Sequence, residues 1–76
     1  MLDKIREIVV EFAYGDLPAD NEFDLLENGV IDSLGIFSIL SGLESEFGIE
    51  VDGEDISKQN FSSIAAMARM VTKYIG

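Results

Sequence analysis

Ser33 is the residue of this chain best placed to do chemistry. It lies in Asn28-Gly29-Val30-Ile31-Asp32-Ser33-Leu34-Gly35, where an irregular acidic segment gives way to an amphipathic one. A serine at the start of a helix meets free N–H groups and the positive end of the helix dipole, both favourable to a phosphate ester. The same position has a purely structural use, since Asp32 and Ser33 are both favoured helix N-cap residues.

Catalysis by the chain alone lacks its parts. There is no cysteine and no histidine, so Ser33 has no imidazole base, and neither a thiolate nor a zinc site is available. Asp16, Asp20 and Glu27 fall at positions 1, 5 and 12 of a calcium loop, but Pro18 at position 3 and Asn21 at the glycine position break it. Gly29 and Gly35 match neither nucleotide-binding fingerprint. The expectation is a protein that is not an enzyme and holds no metal.

Helices must position Ser33. Leu2, Ile5, Val9 and Phe12, with Ile8 and Ala13 beside them, repeat at helical spacing and predict a first helix over residues 2–14, ended by Gly15, Asp16 and Pro18. Residues 15–32 have no such period, yet Phe23, Leu25, Leu26, Val30 and Ile31 should pin them across the bundle. Ile36, Ile39, Leu40, Leu43 and Phe47 predict a second helix from 33 to 48, with Gly48 as terminator. Gly35, Ser38, Ser41 and Gly42 weaken it, which points either to a close neighbour or to packing that tolerates small residues. Ile49-Glu50-Val51 is extended, and Asp55 to Gln59 fit one helical turn anchored by Ile56. Ser62 or Ser63 caps a last helix that buries Ile64, Met67, Ala68, Val71 and Ile75. The fold class is therefore all-α: a small four-helix bundle of three main helices and one short one, with a long loop between the first two, in a single domain over residues 1–76.

Charge narrows the partners. The net charge is -10, and fourteen of the fifteen acids lie between Glu7 and Ser57, where there is no lysine or arginine. Such a field repels nucleic acid and anionic membrane and attracts basic protein surfaces. No apolar run is long enough to cross a bilayer, and Asp3, Lys4, Arg6 and Glu7 interrupt any secretory h-region. A cytoplasmic monomer is expected.

Leu25-Leu26-Glu27-Asn28-Gly29-Val30-Ile31-Asp32-Ser33-Leu34, the run Leu43-Glu44-Ser45-Glu46-Phe47-Gly48-Ile49-Glu50-Val51, and Asn60-Phe61-Ser62-Ser63-Ile64 at the right distance resemble the acyl carrier and peptidyl carrier proteins over essentially the whole chain. The resemblance implies that Ser33 receives a 4′-phosphopantetheine arm from coenzyme A through a separate phosphopantetheinyl transferase. Acyl or aminoacyl cargo then rides as a thioester on the arm's thiol, the only thiol this chain would have. Asp32 is implied in recognition by the transferase with its metal-bound coenzyme A. Loading and processing enzymes with basic surfaces would meet the exposed side of the second helix, at Leu34, Phe37, Ser41 and Glu44.

Many fatty-acid carriers have an acid directly after the leucine and more along that helix. Here Gly35 and Ser38 hold those positions, which looks more like aminoacyl carriers such as the D-alanyl carriers, or specialised carriers of polyketide and nonribosomal peptide pathways. Helical geometry gives Leu34, Phe37 and Ser41 one face. Phe37 is either an apolar anchor for partners or a side chain lying against residues 15–32, near Phe23 or Leu26. The alternative function is an unmodified acidic helical domain that docks a basic protein.

Overall fold

The computed structural model describes residues 1–76 and contains three α-helices, one 3-10 turn and no strand. The helices are α1 (Leu2–Val10), α2 (Gly35–Phe47) and α3 (Ile64–Ile75), and the 3-10 turn spans Gly53–Asp55. The short helix expected at Asp55–Gln59 is thus a single 3-10 turn placed earlier. Asp55 N–H donates to the Asp52 carbonyl at 2.9 Å, and the turn's exit is fixed by Asn60 Nδ2, which donates to the Asp55 carbonyl at 2.8 Å.

α1 stops short of the expected residue 14. After Val10 the chain tightens into turns, and Tyr14 N–H donates to the Val30 carbonyl at 2.8 Å instead of continuing the helix. The tertiary bond outcompetes one more helical turn. Ile5 and Val9 are fully buried, but Leu2 and Phe12 are 40% and 37% exposed, because they fall at the ends where no element covers the stripe. Ile75, in the last turn of α3, is exposed for the same reason.

The core joins all three helices through Ile5, Val9, Ile36, Ile39, Leu43, Phe61, Ile64, Met67 and Val71. Leu25 and Ile31, both 1% exposed, enter it from the segment between α1 and α2. That segment is held by its backbone: Leu25 N–H donates to the Ser62 carbonyl at 2.6 Å, and Val30 N–H donates to the Leu25 carbonyl at 2.8 Å. Arg6 ties its start, donating to Asn21 Oδ1 and to the Pro18 carbonyl, each at 2.7 Å. Burying these apolar side chains offsets the entropy of ordering a stretch that has no helix of its own.

The helix ends explain local sequence choices. Ser63, not Ser62, caps α3: its hydroxyl accepts from Ala66 N–H at 3.0 Å, while Ala65 N–H finds the Asn21 carbonyl at 2.8 Å. Two of the orphan donors of that helix are satisfied in this way. Gly48 ends α2 at φ 63°, the left-handed conformation that a residue with a Cβ resists. Gly42 is small for a different reason. A Cβ there would lie 2.7 Å from Ile8 Cγ2, so the close neighbour of α2 is α1 itself.

Candidate functional site

α2 begins at Gly35, two residues later than its apolar period suggested, and this leaves Ser33 on the turn in front of it. The capping bond is made by Asp32, whose Oδ1 accepts from Gly35 N–H at 2.8 Å. Of the two cap candidates, the aspartate does the structural work. Ser33 is exposed, and its hydroxyl makes no hydrogen bond within the protein. A free hydroxyl beside a pinned turn is what an incoming group can reach without breaking the fold.

The other Asp32 oxygen, Oδ2, accepts from the Tyr14 hydroxyl at 2.6 Å. Tyr14 first, then the Gly35 N–H, hold the Asp32 carboxyl below its usual range, while the same bond raises the Tyr14 phenol. Asp32 is therefore an anion at physiological pH and a poor proton acceptor. Each carboxylate oxygen keeps a free lone pair, so the group can still meet a cation. No cation of the chain pairs with it. Periodicity gave no hint of Tyr14, since it lies beyond the end of α1 and 71% exposed. Only the fold brings it to Asp32.

Two open cavities meet at Ser33. One, of about 340 Å³, runs past Asp32, Glu27 and Gly29; the other, of about 190 Å³, lies between Ile36 and Phe37 of α2 and Ile56 and Ser57. Lys58 borders both. It follows the 3-10 turn and owes its place to the anchoring of that turn.

The partner-face residues divide. Leu34 and Phe37 are 80% and 62% exposed, and Ser41 is exposed beside them. Phe37 stands outside the core, with Ile36 and Ile56 among its neighbours around the smaller cavity. Glu44 has another task. It is half-buried, and its Oε2 accepts from Val51 N–H at 2.9 Å, fastening the extended segment after α2.

A family model described as the phosphopantetheine attachment site matches residues 3–71. The chain belongs to that family. It is a carrier domain that bears a covalently attached 4′-phosphopantetheine and holds its cargo as a thioester, which favours the carrier reading over an unmodified interaction domain. Among solved structures it is similar to a chain of the complex between an engineered Bradyrhizobium japonicum glycine:[carrier protein] ligase, a carrier protein from Agrobacterium tumefaciens and AMP. That match has a TM-score of 0.82 and 28% identity, and it covers 95% of this chain and 99% of the other. No curated protein matches the chain significantly. Domains of this family are normally not catalytic. No helix is long and apolar enough to cross a membrane, and no acidic cluster gathers as a metal site.

The residues around Ser33 fit the arm. The hydroxyl is exposed and unbonded, cavities open on both sides of it, and Lys58 lies within the same rim. When bound, the arm supplies the thiol that the sequence itself lacks.

Proposed function

We propose that the arm is carried on Ser33 and that the cargo is an aminoacyl or acyl group delivered by a separate ATP-dependent ligase. The observation that carries the attachment site is the free Ser33 hydroxyl, held in place by a neighbouring aspartate whose own oxygens are already oriented. In transfer from coenzyme A, Ser33 Oγ bonds to the pantetheine phosphorus, the P–O–P anhydride bond breaks, and adenosine 3′,5′-bisphosphate leaves with the bridging oxygen and its electron pair. The serine proton goes to a base of the transferase. Asp32 is too acidic for that role and instead presents its charge to the transferase's metal-bound coenzyme A.

The aminoacyl preference is supported by the similar carrier in complex with a glycine ligase and AMP, and by Gly35 and Ser38 on the helix beside the serine. With no acid at those positions, Leu34 and Phe37 serve as apolar anchors next to the cargo serine, and Ser41 extends the face. Large exposed apolar side chains dominate interface energetics when a partner covers them. The surrounding acids steer basic transferases and ligases toward this face, and the encounters stay brief. An exchange that draws on coenzyme A and ATP supports a cytoplasmic reading.

Incubation with coenzyme A and a broad-specificity transferase, followed by intact mass and peptide mapping, tests the site. Wild type should gain one arm on the peptide containing Ser33, and Ser33→Ala should gain none while melting as wild type does. Modification at another serine would overturn the assignment. In the same assay series, Phe37→Ala should load cargo from a cognate ligase at least ~10-fold more slowly, the loss expected for one interface anchor. Equal loading would remove Phe37 from the docking face.

A further inference from the structure

Four of the five basic side chains are engaged. Lys4 lies 4.0 Å from Glu7 and 3.8 Å from Glu46, and Arg69 lies 3.2 Å from Glu22. Lys73 pairs with Asp55 at 2.7 Å, and Arg6 donates to Asn21 and the Pro18 carbonyl. Lys58 alone forms neither an ion pair nor a hydrogen bond. In a chain of net charge -10, and with Asp24, Glu27 and Asp32 lining the same cavities, an unpaired cation calls for a reason.

Its location supplies one. Lys58 borders all three surface cavities of the protein, and two of them include Ser33. The remaining charged groups of that rim are carboxylates: Asp32 and Glu27 in the cavity of about 340 Å³, and Asp24 with Glu27 in the neighbouring one of about 270 Å³. A phosphodiester on Ser33 Oγ adds one more negative charge to this rim. Repulsion from Asp32 and Glu27 opposes it, and Lys58 is the one cation on the rim that can offset it. An ammonium on a flexible stem suits a phosphate whose exact position is not fixed in advance.

We propose that Lys58 is the seat for the arm's phosphodiester. In the unmodified chain it stays free; once Ser33 is modified, it pairs with the phosphate and holds the base of the arm between the first turn of α2 and the segment after the 3-10 turn. This rests on Ser33 being the attachment site. A docked partner with a basic surface competes for the same phosphate, so docking would release the arm from its seat.

The test compares modified and unmodified forms of wild type, Lys58→Met and Lys58→Arg, each verified by intact mass. At low ionic strength, modification should raise the melting temperature of wild type relative to its effect in Lys58→Met by about 1–8 °C, the range for one exposed ion pair in a domain this small. Lys58→Arg should restore the difference, and 1 M NaCl should abolish it. The phosphorus resonance of the arm should shift, and its relaxation should report faster local motion, in Lys58→Met. Equal responses to modification in wild type and Lys58→Met, with an unchanged phosphorus resonance, would overturn the seat and leave the attachment site standing. Failure of Ser33 to accept the arm would overturn both.

Discussion

The chain contains two tyrosine–aspartate hydrogen bonds, and they have opposite uses. At the serine, Tyr14 donates to Asp32, and no cation pairs with that carboxylate. At the far end of α3, Tyr74 donates to Asp55, which also receives Lys73 at 2.7 Å. The Tyr74 hydroxyl in turn accepts from Asp52 N–H at 3.0 Å. The second pair is charge-balanced and closed: it fastens the 3-10 turn to α3, and thereby sets where Ile56, Ser57 and Lys58 lie. The first is oriented but left charged. A tyrosine fixes a carboxylate in both places, but only the uncompensated one still has something to offer another molecule.

Exchanging each aspartate for asparagine should separate the two roles most strongly. Asp32→Asn keeps an acceptor for Tyr14 and Gly35 but removes the charge. Its rate of arm transfer should fall roughly 100-fold, as when one partner of a close charged contact is lost at an interface, with the melting temperature little changed. Asp55→Asn should do the reverse, lowering the melting temperature and leaving transfer to Ser33 near the wild-type rate. Transfer kinetics alongside thermal melts would show it; a transfer defect in Asp55→Asn equal to that of Asp32→Asn would erase the distinction.

Removing the tyrosine hydroxyls should give a smaller version of the same contrast. Tyr14→Phe leaves the Asp32 charge in place but frees its orientation, so transfer should slow by about 3- to 10-fold, the worth of one net hydrogen bond. Tyr74→Phe should loosen the 3-10 turn, seen as faster amide exchange at Asp52 and Asp55, without slowing transfer. Protection unchanged at both amides would show that Lys73 alone holds the turn.

The smallest expected effect lies in pH. Lys73 first, and Tyr74 next, lower the Asp55 pKa in the folded protein. Its stabilising contribution is therefore complete above the unfolded carboxyl pKa of about 3.9 and is lost as pH falls through the lower folded value. Asp55 raises the pKa values of Lys73 and Tyr74, so their contribution is complete below about pH 10 and is lost as pH rises through the folded values. The melting difference between wild type and Asp55→Asn should be flat between about pH 4.5 and 9.5 and shrink on both sides. A difference that grows toward low pH would contradict the assigned direction.

Much of this was legible in the residues. Period and caps placed three helices, and the run around Ser33 pointed to the carrier family. Gly48 marked the end of α2, and Ile36, Ile39 and Leu43 did form its buried face. These features are local, decided by spacing along one helix or by one backbone conformation. Tertiary structure decided the rest. α1 gives way to tight turns after Val10 and does not resume because Val30 takes the Tyr14 N–H, Gly42 is small because Ile8 crosses it, and Glu44 accepts from the Val51 N–H of the extended segment. Tyr14 reaches Asp32 across eighteen residues, and Lys58 shares a rim with Ser33 only because the 3-10 turn is fastened to α3. A sequence displays the chemistry a residue has and the face of the element it occupies. Which distant group completes that chemistry depends on how the elements pack, and the packing energy is spread over the whole core rather than written in any one stretch of chain.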